Sequence, residues 1–125
     1  MNNNQLRTKL YVTKKIETVS LQNTSAIGNG LTYSPIEGNA SLTLTITGTS
    51  TARTVIFELA DPSGVYLPLT AFGVHDPTKM ASTTTNGTNA TPESWSVDIP
   101  VGYTFRTRVS TVTGGSVVIS GKAVI

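Results

Sequence analysis

Apolar and polar residues alternate one by one along much of this chain. Leu42, Leu44 and Ile46 occupy every second position of the run from Ser41 to Thr47, with Thr43 and Thr45 between them. Trp95, Val97 and Ile99 repeat the pattern, with Ser94, Ser96 and Asp98 on the other parity. Tyr103, Phe105 and Val109 share one parity, and Arg106 and Arg108 fall on the opposite one. Side chains of a strand point alternately to its two faces, so each run predicts a strand with one face on a core. One-sided burial of this kind belongs to antiparallel sheets. The runs Arg53 to Leu59 and Ser116 to Ser120 also read as strands, with apolar residues on both parities.

Turn residues separate the runs. Gly28-Asn29-Gly30, Glu37-Gly38-Asn39, Gly48, Asp61-Pro62-Ser63-Gly64, Pro100-Val101-Gly102 and Gly114-Gly115 all mark reversals. Asp-Pro-Ser-Gly suits a type I turn, and Thr113-Gly114-Gly115-Ser116 reads as a hairpin. No stretch sustains the i, i+3, i+4 apolar spacing of a helix. The expected fold is therefore all-β: an antiparallel β-sandwich or jelly roll of about eight strands, with an extended N-terminal arm. The strands are expected near 9–20, 30–36, 40–47, 53–59, 65–72, 94–99, 103–112 and 116–124. Residues 76–92 have almost nothing to bury and are expected to form a long polar surface loop.

The 125 residues suffice for one domain with its own core. Cysteine is absent, so packing must hold the fold without disulfides. Serine and threonine together make up 34 residues, and charged side chains only 13%. The surface is consequently polar but weakly charged. Charge is also uneven. Residues 1–15 carry Arg7, Lys9, Lys14 and Lys15 and no acid, whereas residues 16–125 carry five basic and seven acidic side chains, or 5 − 7 = −2. This describes a basic arm, residues 1–15, on a mildly acidic body, residues 16–125. Such a body lacks the dense basic face of a duplex-binding domain, so no specific nucleic-acid partner is expected.

No run approaches the roughly 20 apolar residues that span a bilayer as a helix, and no membrane partner is expected. Met1-Asn2-Asn3-Asn4-Gln5-Leu6-Arg7 has no apolar stretch behind it, so no secretory signal peptide is expected. The chain is expected to fold in a cytoplasm.

Residues that could carry chemistry are sparse. A metal site on His75, the single histidine, would need further ligands brought from elsewhere. There is no Gly-x-Ser-x-Gly nucleophile elbow, no phosphate loop ahead of a helix, and no marked pair among the carboxylates. No catalytic residue, metal ligand or cofactor is expected. Trp95, the one tryptophan, faces inward by parity and fills the core, or else stacks on a sugar ring; Tyr11, Tyr33 and Tyr66 are other candidates for an exposed aromatic contact.

Candidate contact residues fall in two places. Arg106 and Arg108 lie two apart on one outward face, roughly 7 Å from each other. They pair with a neighbouring carboxylate such as Asp98 or Glu58, or they form a fork onto an acidic partner. At the N-terminus Leu10, Val12 and Ile16 alternate among Arg7, Lys9, Lys14 and Lys15. That segment is the first strand of the domain or adds to the sheet edge of a neighbour.

The segment from Trp95 to Val124 resembles the C-terminal part of small β-sandwich structural proteins of tailed bacteriophages. It runs through Asp98-Ile99-Pro100-Val101-Gly102, then Tyr103-Thr104-Phe105-Arg106-Thr107-Arg108-Val109, Gly114-Gly115 and Val117-Val118-Ile119. Leu42 to Gly48, Val55 to Glu58 and Asp61 to Gly64 fit the same picture. The resemblance implies a virion structural part with no catalytic residues, and it transfers no site residue. The expected function is a non-enzymatic capsid decoration protein that binds the major capsid protein, or another virion protein, in many copies and self-associates, as a trimer for example. The alternatives are a tail, neck or fibre component, or a carbohydrate-binding, host-recognition module.

Overall fold

The computed structural model describes residues 15–76, 78–86 and 91–125. The described residues form eleven strands and no helix: β1 (Ile16–Thr24), β2 (Gly28–Asn29), β3 (Ala40–Gly48), β4 (Ala52–Ala60), β5 (Tyr66–Pro68), β6 (Ala71–Gly73), β7 (Met80–Ala81), β8 (Thr83–Asn86), β9 (Glu93–Ile99), β10 (Thr104–Thr113) and β11 (Val117–Val124). One sheet has the order β1-β11-β3-β9-β6-β7, the other β2-β10-β4-β5, with β8 also on β4. Every pairing is antiparallel. The β-sandwich predicted from alternation is what forms.

Parity fixes which side chains meet between the sheets. Leu42, Leu44, Ile46, Trp95, Val97, Ile99, Val117 and Ile119 face inward from the first sheet, and Val55, Phe57, Phe105 and Val109 from the second. All of these are buried. Phe57 and Trp95 meet across the gap with ring centroids 5.7 Å apart at 56°, within the range of favourable aromatic pairs. A bulge in β1, between Ser20 and Gln22, turns both Leu21 and Gln22 inward. Gln22 then serves the buried Thr107, whose hydroxyl donates to Gln22 Oε1 at 2.8 Å, while Gln22 Nε2 donates to the Gly28 carbonyl at 3.1 Å.

Several local expectations differ. Gly114-Gly115 does not close a hairpin, because β10 and β11 belong to different sheets. It is a crossing between the sheets, laid against a second crossing at 48–51. Thr49 N and Ser50 N donate to Ser116 O at 3.0 and 3.1 Å, and Thr51 N donates to Thr113 O at 2.8 Å. A Cβ on Gly115 would lie 2.5 Å from Thr49 O, so close contact between the crossings, together with positive φ, requires glycine there.

The expected strand 30–36 is reduced to a bridge between Tyr33 and Phe105; Pro35 lacks the N–H to continue it. The expected strand 65–72 splits into β5 and β6, one in each sheet. The first strand begins at Ile16, and residues 9–14 of its expected span lie outside the described residues. Within 76–92, described in part, β7 and β8 replace the expected loop and pair with β6 and β4. The threonines of β8 have strand propensity without apolar content, which is why hydrophobic alternation missed them.

Candidate functional site

Two polar constellations stand out. The first lies on the outer face of the second sheet. Because Phe105, Thr107 and Val109 turn inward, Arg106 and Arg108 project from the opposite face of β10. Arg106 is directly across from Glu58 on β4, and Arg108 across from Ile56. Glu58 Oε1 accepts from Arg106 Nε at 3.0 Å and from Arg108 Nε at 3.3 Å. Glu58 Oε2 lies 3.5 Å from Arg108 Nη2. Tyr66 on β5 lies under the first guanidinium, with Arg106 Cζ 3.6 Å from its ring centroid, a cation–π stack. Glu58 is buried beneath the two arginines. The sequence placed the arginine pair correctly on one face and named Glu58 among its possible partners; Asp98 is exposed on the other sheet.

The second constellation is internal. Arg53 on β4 is fully buried, and its Nη2 reaches Glu93 Oε2 on β9 at 3.3 Å, Thr91 O at 3.3 Å and Ile46 O at 3.4 Å. Glu93 Oε1 accepts from the Thr84 hydroxyl and, at 3.4 Å, from Trp95 Nε1. Arg53 Nε and Nη1 are buried with no hydrogen-bond partner among the described residues. Sequence reading missed this set, although Arg53 shares the parity of Val55 and Phe57, and Glu93 that of Trp95 and Val97.

Beside it is a cleft of about 190 Å³ lined by His75, Asp76, Lys79, Glu93 and Trp95 among others. Lys79 Nζ lies 5.3 Å from the Trp95 ring centroid. Trp95 itself is only 2% exposed, so it fills the core and offers no flat platform to a sugar. The Asp76 carboxylate accepts from the Thr78 hydroxyl and backbone N–H, which hold its pKa below the usual aspartate value. Among the described residues no three of the side chains His, Cys, Asp and Glu gather as a metal site.

Of the N-terminal candidates, Arg7, Lys9, Leu10, Val12 and Lys14 lie outside the described residues. Lys15 pairs through its backbone with Ile125, and its Nζ lies 3.5 Å from Glu37 in an exposed contact. Exposed pairs of this kind contribute little. Ile16 opens β1, opposite Val124 on β11, and both are exposed.

The fold is a two-sheet antiparallel β-sandwich with one ion pair buried between its sheets and a charge cluster on one outer face. Residues 14–123 match the family model named XepA, and the chain belongs to the XepA family. Among solved structures it is similar to the SPBc2 prophage-derived protein YomS, with a TM-score of 0.77 and 24% identity, over 90% of this chain and 95% of YomS. It is also similar to the PBSX exported protein XepA, with a TM-score of 0.74 and 26% identity, over 90% of this chain and 38% of that one. The chain thus spans well under half the length of XepA. None of the curated proteins matches it. The family and these two structures support a phage-derived protein.

Proposed function

We propose that this domain is a non-enzymatic structural protein of a phage-derived assembly, and that it binds virion protein in many copies, as a capsid decoration protein does. The supporting observation is the disposition of its polar groups. Arg53 and Glu93 pair between the sheets, and Glu58 offsets one of the two positive charges beside it on the outer face. The margins of the first sheet also expose apolar side chains. Ile16 and Val124 are exposed at the β1 end of the first sheet, and Phe72 and Met80, paired across β6 and β7, are exposed at the other. Contacts at two opposed margins suit assembly in multiple copies, where weak contacts add through multivalency.

Co-sedimentation with purified heads of the phage that encodes the protein tests this reading. Saturable binding at a fixed ratio to the major capsid protein is expected. A chain left wholly in the supernatant, with heads intact, overturns it. The description of XepA as exported favours a second reading, in which the domain acts at the host envelope as a host-recognition or exported module. Binding to isolated host envelopes in place of heads would select it. Light scattering coupled to size exclusion tests self-association: a closed ring is expected, and a strict monomer contradicts it.

A further inference from the structure

Two guanidinium groups share a single carboxylate on the outer face of the second sheet. Arg106 and Arg108 bring two positive charges and Glu58 one negative, so one positive charge is left over. Among the described residues no second carboxylate joins the cluster. The arrangement is also held in place. Glu58 is 7% exposed and fixed on β4, and Arg106 is clamped between it and the Tyr66 ring. Arg108 differs. Its side chain is 40% exposed, and its hydrogen bonds to Glu58, through Nε and Nη2, are longer, at 3.3 and 3.5 Å. Its Nη1 makes no hydrogen bond to any described residue. Asn29 on β2 is the cross-strand neighbour of Arg108 on the side away from Ile56, and is exposed.

We propose that Arg108, oriented by Glu58 and flanked by Asn29, is the docking point for a carboxylate on an acidic segment of a partner protein. A guanidinium presents paired N–H donors in a plane that matches a carboxylate. A fork already oriented by a buried acid loses less freedom on binding than a free arginine side chain. Local charge decides between partners. The cluster leaves one unpaired positive charge, not the dense basic face that a nucleic acid or an anionic membrane needs. A short acidic peptide can be read locally, within a Debye length of roughly 8 Å. The inference rests on the protein-binding reading above, and it names the chemistry of the partner.

The test uses the whole chain, labelled for NMR, with an acetylated hexaglutamate peptide as the probe. The Nε–H signal of Arg108 and the side-chain amide of Asn29 are expected to shift saturably. Arg108→Gln should weaken the affinity by about ten-fold or more, while Arg108→Lys, which keeps charge and loses the fork, falls between. The Arg106 Nε–H signal, compared in Arg108→Gln and the parent chain, reports whether the cluster stays folded. Absence of a saturable shift, or an equal affinity in Arg108→Gln, overturns the proposal. So does tighter Arg108-dependent binding to phosphatidylglycerol vesicles, or Arg108-dependent self-association without peptide. Because the probe is a peptide and not a phage head, failure here is separable from failure of the co-sedimentation.

Discussion

Arg53 of one sheet and Glu93 of the other meet at 3.3 Å in the space between the sheets. Both are buried, and each is held by neighbours: Thr91 and Ile46 carbonyls on the arginine, Thr84 and Trp95 donors on the glutamate. A buried pair of this kind is a weak source of net stability, because desolvation offsets attraction. Breaking it is costly, because one charge is then left alone.

Glu93→Ala is therefore expected to destabilise the domain by about 3–5 kcal/mol. The double replacement Arg53→Met with Glu93→Leu is expected to lose less than the sum of the single changes. Urea unfolding of Arg53→Met, Glu93→Leu and the double variant measures this, and strict additivity would contradict it.

Tyr33 packs on the core cluster with its hydroxyl buried and without a partner among the described residues. Burial, and secondarily the charge of Glu17, pushes its pKa above the ordinary value. With the folded pKa above the unfolded one, stability is unaffected below about pH 10 and declines as pH rises through the folded value. Tyr33→Phe is expected to gain about 1 kcal/mol at neutral pH, since the orphan hydroxyl is removed. It should also flatten the alkaline decline. A loss of stability in this variant would point to a hydrogen bond the hydroxyl makes in solution.

Asp61 opens the turn that Gly64 closes, accepting from both the hydroxyl and the backbone N–H of Ser63. Those bonds lower its pKa, as Thr78 does for Asp76. A depressed folded pKa means stabilisation present above the unfolded value of about 3.9 and lost as pH falls through the folded one. Carboxyl titration by NMR should show Ser63→Ala returning Asp61 toward 3.9. An unchanged midpoint would assign the shift elsewhere.

Gly121 sits on β11 between Val19 of β1 and Leu44 of β3. A Cβ there would fall 1.9 Å from the Thr43 carbonyl oxygen. Gly121→Ala must push β11 off its neighbour, and a loss of about 1–3 kcal/mol or more is expected. Thermal unfolding would reveal it, and a midpoint equal to the parent would show that the strands shift freely.

Trp95→Ala is expected to cost about 3–5 kcal/mol, as for other large core truncations. The fluorescence of the parent should be blue-shifted and insensitive to added sugars. A sugar-dependent change would revive the carbohydrate reading for the cleft beside His75.

Most of the frame was legible because burial follows parity. Leu42, Leu44, Ile46, Trp95, Val97 and Ile99 were placed inside by alternation alone, and are inside. The same rule applied without regard to residue type would also have placed Arg53 and Glu93 inside. Expecting charge outside hid them. Strand pairing was less legible. Gly114-Gly115 has the composition of a hairpin and the job of a crossing, and only the partner strands tell these apart. β8 was invisible because its threonines are held through the backbone of β4. Glu58 was named as a partner of the arginines, yet its burial depends on their lying over it, which no local pattern encodes.

The position of β11 has a consequence for synthesis. It comes after all the other described strands in chain order, and it lies between β1 and β3, inside the six-stranded sheet. Until it emerges from the ribosome, β1 has no partner among the described strands of that sheet, and β3 presents an open edge. Unpaired edges of this sort recruit strands from other chains. The nascent domain is therefore most exposed to mispairing just before its final strand is released, and a stalled or truncated product would be expected to aggregate through those two edges.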